Sequence, residues 1–307
     1  MNPRVLVVVV THNGMHWLRR CLSSVMPGAK TAGSAPEVDV YVWDNASTDG
    51  SADFVAENYP QAVLVRSREN LGFSIPNNKG FEYAVREGYD YAYLLNQDAW
   101  IEPGALDLLV ASARAHPEYG VLSPLQMTDG YKELDRQFAR LLPAYTKQAP
   151  FVPGKARDRD GEDVVEVRRV MAAHWLVPVQ VVEKIGPFEE ELFPLYGQDD
   201  EWCRRLHFFG LKAGVVPEAR AVHDRQWREE PLERVVYRNY YTGSLVRLCD
   251  VSRPLFENFL FILLFTLVKA VKYRSTLPFK YFRQIFRDLP RVRKLRSLVR
   301  ARAQNAK

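Results

Sequence analysis

The sequence predicts an α/β protein with a mostly parallel sheet and helices on both faces of that sheet. Residues 5–10 are an unbroken run of valine and leucine, which is typical of a strand buried on both sides. Short apolar runs of the same kind follow at residues 38–43, 62–66 and 91–95. Helical segments are expected between them, and this alternation favours right-handed crossovers between parallel strands.

The predicted helices separate the strands. Apolar residues recur every three or four positions over residues 15–25, and further helices are expected near 52–58 and 75–87. A fourth helix is expected near 202–209. Residues 128–165 are polar and contain several prolines, so we expect a long excursion or lid there.

The composition excludes several classes of protein. Apolar residues make up 47% and charged residues 26%, which is ordinary for a soluble globular protein and excludes a disordered or collagen-like chain. The three cysteines are widely spaced and form no C-x-x-C pair, so neither a disulfide framework nor a zinc site is predicted. The apolar run at 5–10 is too short for a signal peptide. We therefore expect a cytoplasmic protein.

The charge is distributed unevenly along the chain. Residues 269–307 hold 13 basic residues and one acid, which leaves 29 basic and 36 acidic residues in 1–268. We therefore divide the chain into a main domain, residues 1–250, and a basic helical extension, residues 251–307. The most apolar stretch, residues 255–268, would span about 21 Å as a helix, less than the roughly 30 Å of a hydrocarbon core.

The extension has an amphipathic pattern that is interrupted at Pro290. No DNA- or RNA-binding motif accompanies it, so nucleic acid is not the expected partner. An anionic membrane surface fits better, because each basic residue near such a surface contributes about 1 kcal/mol. A helix packed on the main domain and an oligomer interface remain alternatives, and the oligomeric state is not predicted.

Polar side chains follow three of the predicted strands: Thr11-His12-Asn13, Asp44-Asn45 and Asn96-Gln97-Asp98. One such cluster is most often a turn or a helix cap. Because ligands of open α/β sheets bind at the carboxyl ends of the strands, three clusters in succession predict a shared site.

Read in order, these clusters resemble a known family. VVVVTHNG, VWDNASTDGS, ENLGFSIPNNKG, LLNQDAW, GPFEEELFPLYGQDDEWCRR and the later His223 resemble glycosyltransferase family 2 over about residues 4–225. The resemblance implies a Rossmann-like GT-A fold, a nucleotide-diphosphate sugar, a divalent cation (Mg²⁺ or Mn²⁺) and an inverting transfer. The NQD and DDEWC segments are most similar to bacterial rhamnosyltransferases of surface polysaccharide synthesis. That similarity implies a glycan or lipid-linked acceptor, and the inner face of the plasma membrane as the location.

The donor site is predicted first. Asp44 suits the base, because a carboxylate accepts a hydrogen bond from a ring N–H, and its alternative role is a helix cap. The remaining donor-binding candidates are Thr11, His12, Asn13, Asn70, Gly72, Asn78, Lys79, Asn96 and Gln97. Gly72 has a turn as its alternative role, and Lys79 has a solvated surface.

The resemblance also assigns the metal ligands. Asp98 occupies the place of the last carboxylate in the D-x-D motif of the family, and His223 that of a later metal-site histidine. Asn96 replaces the first acid of that motif, which leaves it free to contact the sugar or ribose.

The acceptor side completes the predicted site. Asp199 takes the position of the catalytic base, and Asp200 is the fallback. A helix that begins after them would lower the carboxylate pKa through its dipole, and a base must be ionised. Trp175, Glu201 and Trp202 are the candidate acceptor-binding residues, with core packing as the alternative for Trp175.

Three rival functions remain. A donor with galactofuranose, galactose, glucose or N-acetylhexosamine would leave the chemistry unchanged. A sugar-phosphate nucleotidyltransferase would need a glycine-rich basic loop after the first strand, and THNG is not such a loop. A non-catalytic binding protein is the third.

Overall fold

The computed structural model describes residues 2–26, 35–131, 133–142, 163–224 and 231–305. Most of the predicted lid therefore lies outside the described residues. The strands are β1 (Arg4–Thr11), β2 (Glu37–Asp44), β3 (Val63–Arg66), β4 (Tyr91–Asn96), β5 (Ala99–Ile101), β6 (Tyr119–Met127), β7 (Val165–Val167), β8 (His174–Pro178) and β9 (Lys212–His223). The helices are α1 (Met15–Val25), α2 (Ser51–Asn58), α3 (Ser74–Arg86), α4 (Ala105–Ala115), α5 (Val179–Ile185), α6 (Gln198–Phe208), α7 (Leu232–Val236), α8 (Gly243–Cys249), α9 (Leu255–Tyr273) and α10 (Leu277–Asn305), with a π-helical turn (Tyr237–Thr242) between α7 and α8.

The strands form one sheet in the order β3-β2-β1-β4-β8-β6-β9-β5, and β7 also pairs with β9. Strands β1 to β4 are parallel, as are β6 and β9, whereas β8 is antiparallel to β4. Strands β5 and β7 also run antiparallel to β9. The predicted α/β class is confirmed, and the antiparallel strands of the second half are an addition that sequence reasoning did not identify.

Strand β1 explains why both faces of the sheet are covered. Its side chains alternate between two apolar clusters: Leu6 and Val8 face Phe81 of α3, and Val5, Val7 and Val9 face the α1 side. Since all five are fully buried, neither face of this strand meets water. The apolar run at 5–10 therefore has the doubly buried position that the sequence predicted.

The C-terminal hairpin of α9 and α10 builds a third apolar cluster. Ile285, Val292, Leu295 and Val299 of α10 are buried there with side chains from α8 and the π-helical turn. The extension therefore packs on the main domain, which is one of the alternatives considered for it. The amphipathic pattern was expected to break at Pro290, but α10 continues through that residue. No helix among the described residues is both long and apolar enough to span a membrane.

Candidate functional site

The tips of β1, β2 and β4 meet at one edge of the sheet. In the parallel register Thr11 lies opposite Asp44, and Val10 lies opposite Asn96. The Gln97 side chain joins two of these tips, because its Oε1 accepts hydrogen bonds from Thr11 Oγ1 and from the His12 backbone N–H, both at 2.8 Å. The shared edge predicted from the polar clusters is therefore present.

His12 and Asn13 lie exposed at this edge and contact the turn after β2. His12 Nδ1 is 2.9 Å from the Asn45 carbonyl oxygen, and Asn13 Oδ1 accepts a hydrogen bond from Thr48 N at 2.8 Å. These contacts fix the two tips relative to one another. Direct donor contacts by Thr11, His12, Asn13 and Gln97 stay predictions.

Asp44 is the buried carboxylate of the site. Its Oδ2 accepts a hydrogen bond from Ser47 N at 3.0 Å, which closes the turn after β2. The helix cap considered as its alternative role is not formed, because α2 begins after Gly50 without a side-chain cap. Asp44 Oδ1 is also buried and has no hydrogen-bond partner among the described residues. A buried acceptor without a partner costs about 1–3 kcal/mol, and a ring N–H of a nucleoside base would relieve that cost. The contact of Asp44 with the base stays a prediction, and its unpartnered oxygen is compatible with it.

Asn45 holds the segment 70–72 against the strand tips. Its amide nitrogen donates to Asn70 Oδ1 and to the Gly72 carbonyl, and its Oδ1 accepts from Leu71 N. Sequence reasoning placed Asn45 in a polar cluster but gave it no role. Its signal was its position beside Asp44 at a strand end.

Gly72 is required by the backbone. Its φ is +78°, and a Cβ there would lie 2.6 Å from the Pro194 carbonyl oxygen. That same oxygen accepts a hydrogen bond from Phe73 N at 2.8 Å, which joins residues 70–73 to the chain that leads into α6. Gly72 therefore serves the turn. Because glycine has no side chain, it could contact a donor only through its backbone.

Two predicted donor residues are occupied elsewhere. Asn78 is buried, and its amide pairs with the Phe188 backbone through both Nδ2 and Oδ1, each at 2.9 Å. Lys79 is exposed and forms an ion pair with Glu82 at 2.8 Å. Asn78 therefore braces α3 instead of facing a donor, whereas Lys79 lies on the exposed surface of α3 and its donor contact stays a prediction.

Asp98 and His223 come together although they lie far apart in the sequence. The antiparallel pairing of β5 with β9 sets Ala99 opposite His223, and this places Asp98 Oδ1 3.3 Å from His223 Nε2. Asp224 N donates to the Asp98 carbonyl at 2.8 Å, and its carboxylate accepts from Trp17 Nε1 at 2.9 Å. The pair is therefore held by backbone pairing and by α1.

This carboxylate–imidazole pair suits a divalent cation. Two adjacent ligands of a near-octahedral ion with bonds of about 2.1 Å lie about 3.0 Å apart, close to the separation of Asp98 and His223. No group of three or more His, Cys, Asp or Glu side chains that could hold a metal occurs within the described ranges. Mg²⁺ in nucleotide sites is commonly bound by one or two protein ligands together with substrate phosphates, so two side chains fit such an ion.

The acid pair lies in the first turn of α6. The helix was expected to begin near Trp202, but it begins at Gln198 after Gly197, whose φ is +88°. Asp199 is partly buried, and Asp200 forms an ion pair with Arg204 at 3.2 Å. The two acids therefore differ in character, because Asp200 already has a cationic partner on its own helix.

Burial raises the pKa of Asp199 above its usual value. The positive charge of Arg169 opposes this shift, and the negative charge of Asp200 adds to it. The helix dipole was expected to lower this pKa, but the net shift is upward, and burial of the carboxylate is its largest cause. A raised pKa makes Asp199 a stronger base once it is ionised.

The three predicted acceptor residues belong to the core. Trp175 and Trp202 are fully buried with ring centroids 5.1 Å apart, and Trp202 Nε1 donates to the Gly186 carbonyl. Glu201 is buried in an ion pair with Arg205 at 2.8 Å. These assignments are therefore wrong, and core packing is the role of all three residues.

Residues 169–173 connect Asp199 with the tip of β4. Arg169 interacts electrostatically with Asp199, and four residues later the Ala173 carbonyl accepts a hydrogen bond from Asn96 N at 3.1 Å. Asn96 itself is partly exposed at the tip of β4. Asp44 and the Asp98–His223 pair thus lie at the strand tips, and the partly buried Asp199 is connected to them through this segment.

The fold is that of a glycosyltransferase α/β domain of the GT-A type. Residues 6–164 match the family model described as glycosyl transferase family 2, and the chain belongs to that family. The chain is 27% identical over 238 residues to N-acetylglucosaminyl-diphospho-decaprenol L-rhamnosyltransferase of Mycobacterium tuberculosis, covering 71% of this chain and 75% of the relative. It is 23% identical over 223 residues to the dTDP-rhamnosyl transferase RfbF of Shigella flexneri, covering 73% and 70%.

Solved structures show the same fold at low identity. The UDP complex of TarS 1–349 from S. aureus superposes with a TM-score of 0.54 at 15% identity, covering 83% of this chain and 68% of that one. GalNAc-T7 with UDP, GalNAc and Mn²⁺ gives 0.57 at 15% identity, covering 94% and 57%. The mannosyltransferase PcManGT from Pyrobaculum calidifontis with GDP-Man and Mn²⁺ gives 0.51 at 20% identity, covering 100% and 76%.

The electrostatic pairing of Arg169 with Asp199 predicts a shift in the pH profile of activity. Removing the cation in Arg169→Gln raises the Asp199 pKa further, so the acidic limb of kcat/KM moves to higher pH. Arg168→Gln is the matched control, because Arg168 is exposed and lies next to Arg169. Steady-state kinetics from acidic to neutral pH measure the acidic limb in each variant. An unmoved limb in Arg169→Gln, or an equal shift in both variants, would contradict this pairing.

Proposed function

We propose that this glycosyltransferase moves rhamnose from a nucleotide-diphosphate donor to a lipid-linked or glycan acceptor in cell-surface polysaccharide synthesis, with inversion at the anomeric carbon. The observation that carries the proposal is the Asp98–His223 pair: Asp98 follows the tip of β4, and its Oδ1 lies 3.3 Å from His223 Nε2. The sugar is supported by the similarity to two rhamnosyltransferases, and the lipid-linked acceptor by the name of the mycobacterial one.

The donor lies along the tips of β1, β2 and β4 in this proposal. Asp44 Oδ1 accepts the ring N–H of the base, which gives this buried oxygen a hydrogen-bond partner. Asn96 faces the sugar or ribose at the tip of β4. The diphosphate extends toward Asp98 and His223, where a bound Mg²⁺ or Mn²⁺ would neutralise the charge that develops on the leaving phosphate oxygen.

Asp199 performs the proton transfer. Its ionised carboxylate accepts the proton of the acceptor hydroxyl as the acceptor oxygen bonds to the anomeric carbon. The bond between that carbon and the diphosphate oxygen breaks in the same displacement, and the nucleoside diphosphate leaves. Attack opposite the leaving group inverts the configuration. The raised pKa of Asp199 favours this role over Asp200, which Arg204 already pairs.

The two neighbouring acids allow a sharp test. Asp199→Asn keeps the size of the side chain but removes the base, so kcat is expected to fall by about 10²–10⁴-fold. Asp200→Asn is the matched control, and it should retain kcat within a factor of about five, because partly exposed ion pairs contribute little. Donor affinity, measured by calorimetry in the presence of Mn²⁺, should be unchanged in both variants.

The outcomes separate the rival functions. Loss of activity in Asp200→Asn alone would transfer the base role to Asp200. Full activity in both variants would contradict the proposal that a carboxylate at this site acts as the base. A panel of nucleotide sugars, assayed for released nucleoside diphosphate, identifies the donor, and transfer from a donor other than a rhamnose nucleotide would overturn the sugar assignment while leaving the site intact.

We further propose that α9 attaches the enzyme to a membrane surface. Its outward side carries an apolar stripe, here called the α9 stripe: Phe256, Leu260, Leu263, Leu264, Leu267, Val268 and Val271. Phe256 is 75% exposed and Val271 is 79% exposed, which is unusual for such side chains in a solvated helix. The basic residues that follow in the hairpin provide attraction to anionic lipids.

Substitution of the α9 stripe tests this attachment. Leu264→Gln with Val268→Gln removes two exposed apolar side chains on the same face, and partitioning onto phosphatidylglycerol vesicles should weaken roughly a hundredfold, because burial of each contributes about 1.5–3 kcal/mol. Val85→Gln with Leu108→Gln is the control, since both are exposed apolar residues, 38% and 42%, that lie on α3 and α4. Co-sedimentation measures binding, and an equal response of the two double variants would contradict the proposal.

A further inference from the structure

A cavity opens between the π-helical turn and the first half of α10, away from the strand tips. Its volume is about 450 Å³. Three tyrosines line it (Tyr237, Tyr241 and Tyr281), together with three cations (Lys280, Arg283 and Arg287). The cavity therefore combines aromatic walls with positive charge.

Two of the three cations that line the cavity are not paired with an acid of the described residues. Lys280 is paired with Glu233 at 2.7 Å, and the buried Asp288 accepts from Tyr241 and is paired with Arg291. The two remaining cations, Arg283 and Arg287, are exposed and form no ion pair with any residue in the described part of the chain.

Arg283 and Arg287 are four residues apart and share one face of α10. Two guanidinium groups in this arrangement match a phosphate or a diphosphate, because each can donate two parallel hydrogen bonds to its oxygens.

Apolar surface adjoins these two arginines. Phe282 and Phe286 each precede one of them, and both pack on Phe259 of α9, with ring centroids 6.0 and 5.2 Å from it. Phe286 remains 47% exposed. Charged and apolar surfaces therefore alternate on neighbouring faces of α10, and the apolar one continues through α9 toward the α9 stripe. An amphiphile with a phosphate head and a hydrocarbon chain matches this arrangement.

The cavity wall also contacts the turn that carries Asp199, the proposed base. Thr242 ends the π-helical turn, and its methyl group packs so closely on Gly197 that a Cβ at Gly197 would collide with it. Arg234 Nε donates to Tyr196 Oη at 3.2 Å on the same side. Since α6 begins directly after Gly197, a ligand in the cavity lies one wall away from the turn that holds Asp199.

We propose that this cavity binds the diphosphate of a prenyl-anchored acceptor, with Arg283 and Arg287 on the phosphate oxygens and the prenyl chain directed to the α9 stripe. This assignment deepens the proposed function, on which it rests for the class of the acceptor. It differs from general attraction to anionic lipids, because it requires two particular arginines and a defined cavity.

Binding of farnesyl diphosphate to the full chain provides the test. In Arg283→Gln with Arg287→Gln the affinity should fall roughly a hundredfold, since each lost charge-assisted contact accounts for about tenfold or more. Arg293→Gln with Lys294→Gln is the matched control, because it removes two exposed charges from the same helix outside the cavity, and its affinity should be unchanged. Nucleotide-sugar affinity reports that each variant is folded, and the single variants Arg283→Gln and Arg287→Gln should each lose about tenfold.

The probes distinguish the source of the phosphate. Farnesol and inorganic pyrophosphate should each bind far more weakly than farnesyl diphosphate, and binding to phosphatidylglycerol vesicles should fall equally in both double variants. Pyrophosphate that binds as tightly as farnesyl diphosphate would overturn the prenyl assignment. Equal loss of farnesyl diphosphate in both double variants, or no loss in either, would overturn the cavity itself. Asp199→Asn should keep this binding, so failure of the transfer reaction is recognised separately.

Discussion

The parallel register of β1 with β2 and β4 is the constraint on which the site depends. Because Thr11 lies opposite Asp44 and Val10 opposite Asn96, the polar residues after each apolar run are brought to one edge. The central strand β1 is buried on both faces, so the polar ligand is expected at this edge. A shift of one residue in this register would turn Asp44 to the opposite face of the sheet and move the clusters apart.

The position of Asp199 depends on a different support, a buried ion pair of its own helix. Helix α6 is fixed by the buried Glu201–Arg205 pair, and Arg205 also donates to the carbonyl groups of residues 185–187. Trp202 adds a hydrogen bond to Gly186. A buried ion pair contributes little net stability, but loss of one partner is costly, so it holds the helix in one position. The position and burial of Asp199 follow from this arrangement.

Sequence reasoning succeeded where local pattern determines structure and failed where the packed face matters. The strands β1 to β4 were predictable from apolar runs, whereas β5, β7 and β8 are only three to five residues long and carry no such signal. Motif order paired Asp98 with His223 correctly. Proximity to the acid motif misplaced Glu201 and Trp202, because residues adjacent along a helix point to different sides. The direction of the Asp199 pKa shift was wrong because burial cannot be read from a motif.

A structure of the complex with Mn²⁺ and a non-hydrolysable nucleotide-sugar analogue tests the central claim most directly, since anomalous diffraction locates the metal without ambiguity. The account predicts Mn²⁺ bonded to Asp98 and His223 and to oxygens of the diphosphate, with the Asp199 carboxylate facing the anomeric carbon opposite the leaving group. A metal bound away from this pair, or an Asp199 carboxylate that cannot reach the acceptor side of the sugar, would contradict it.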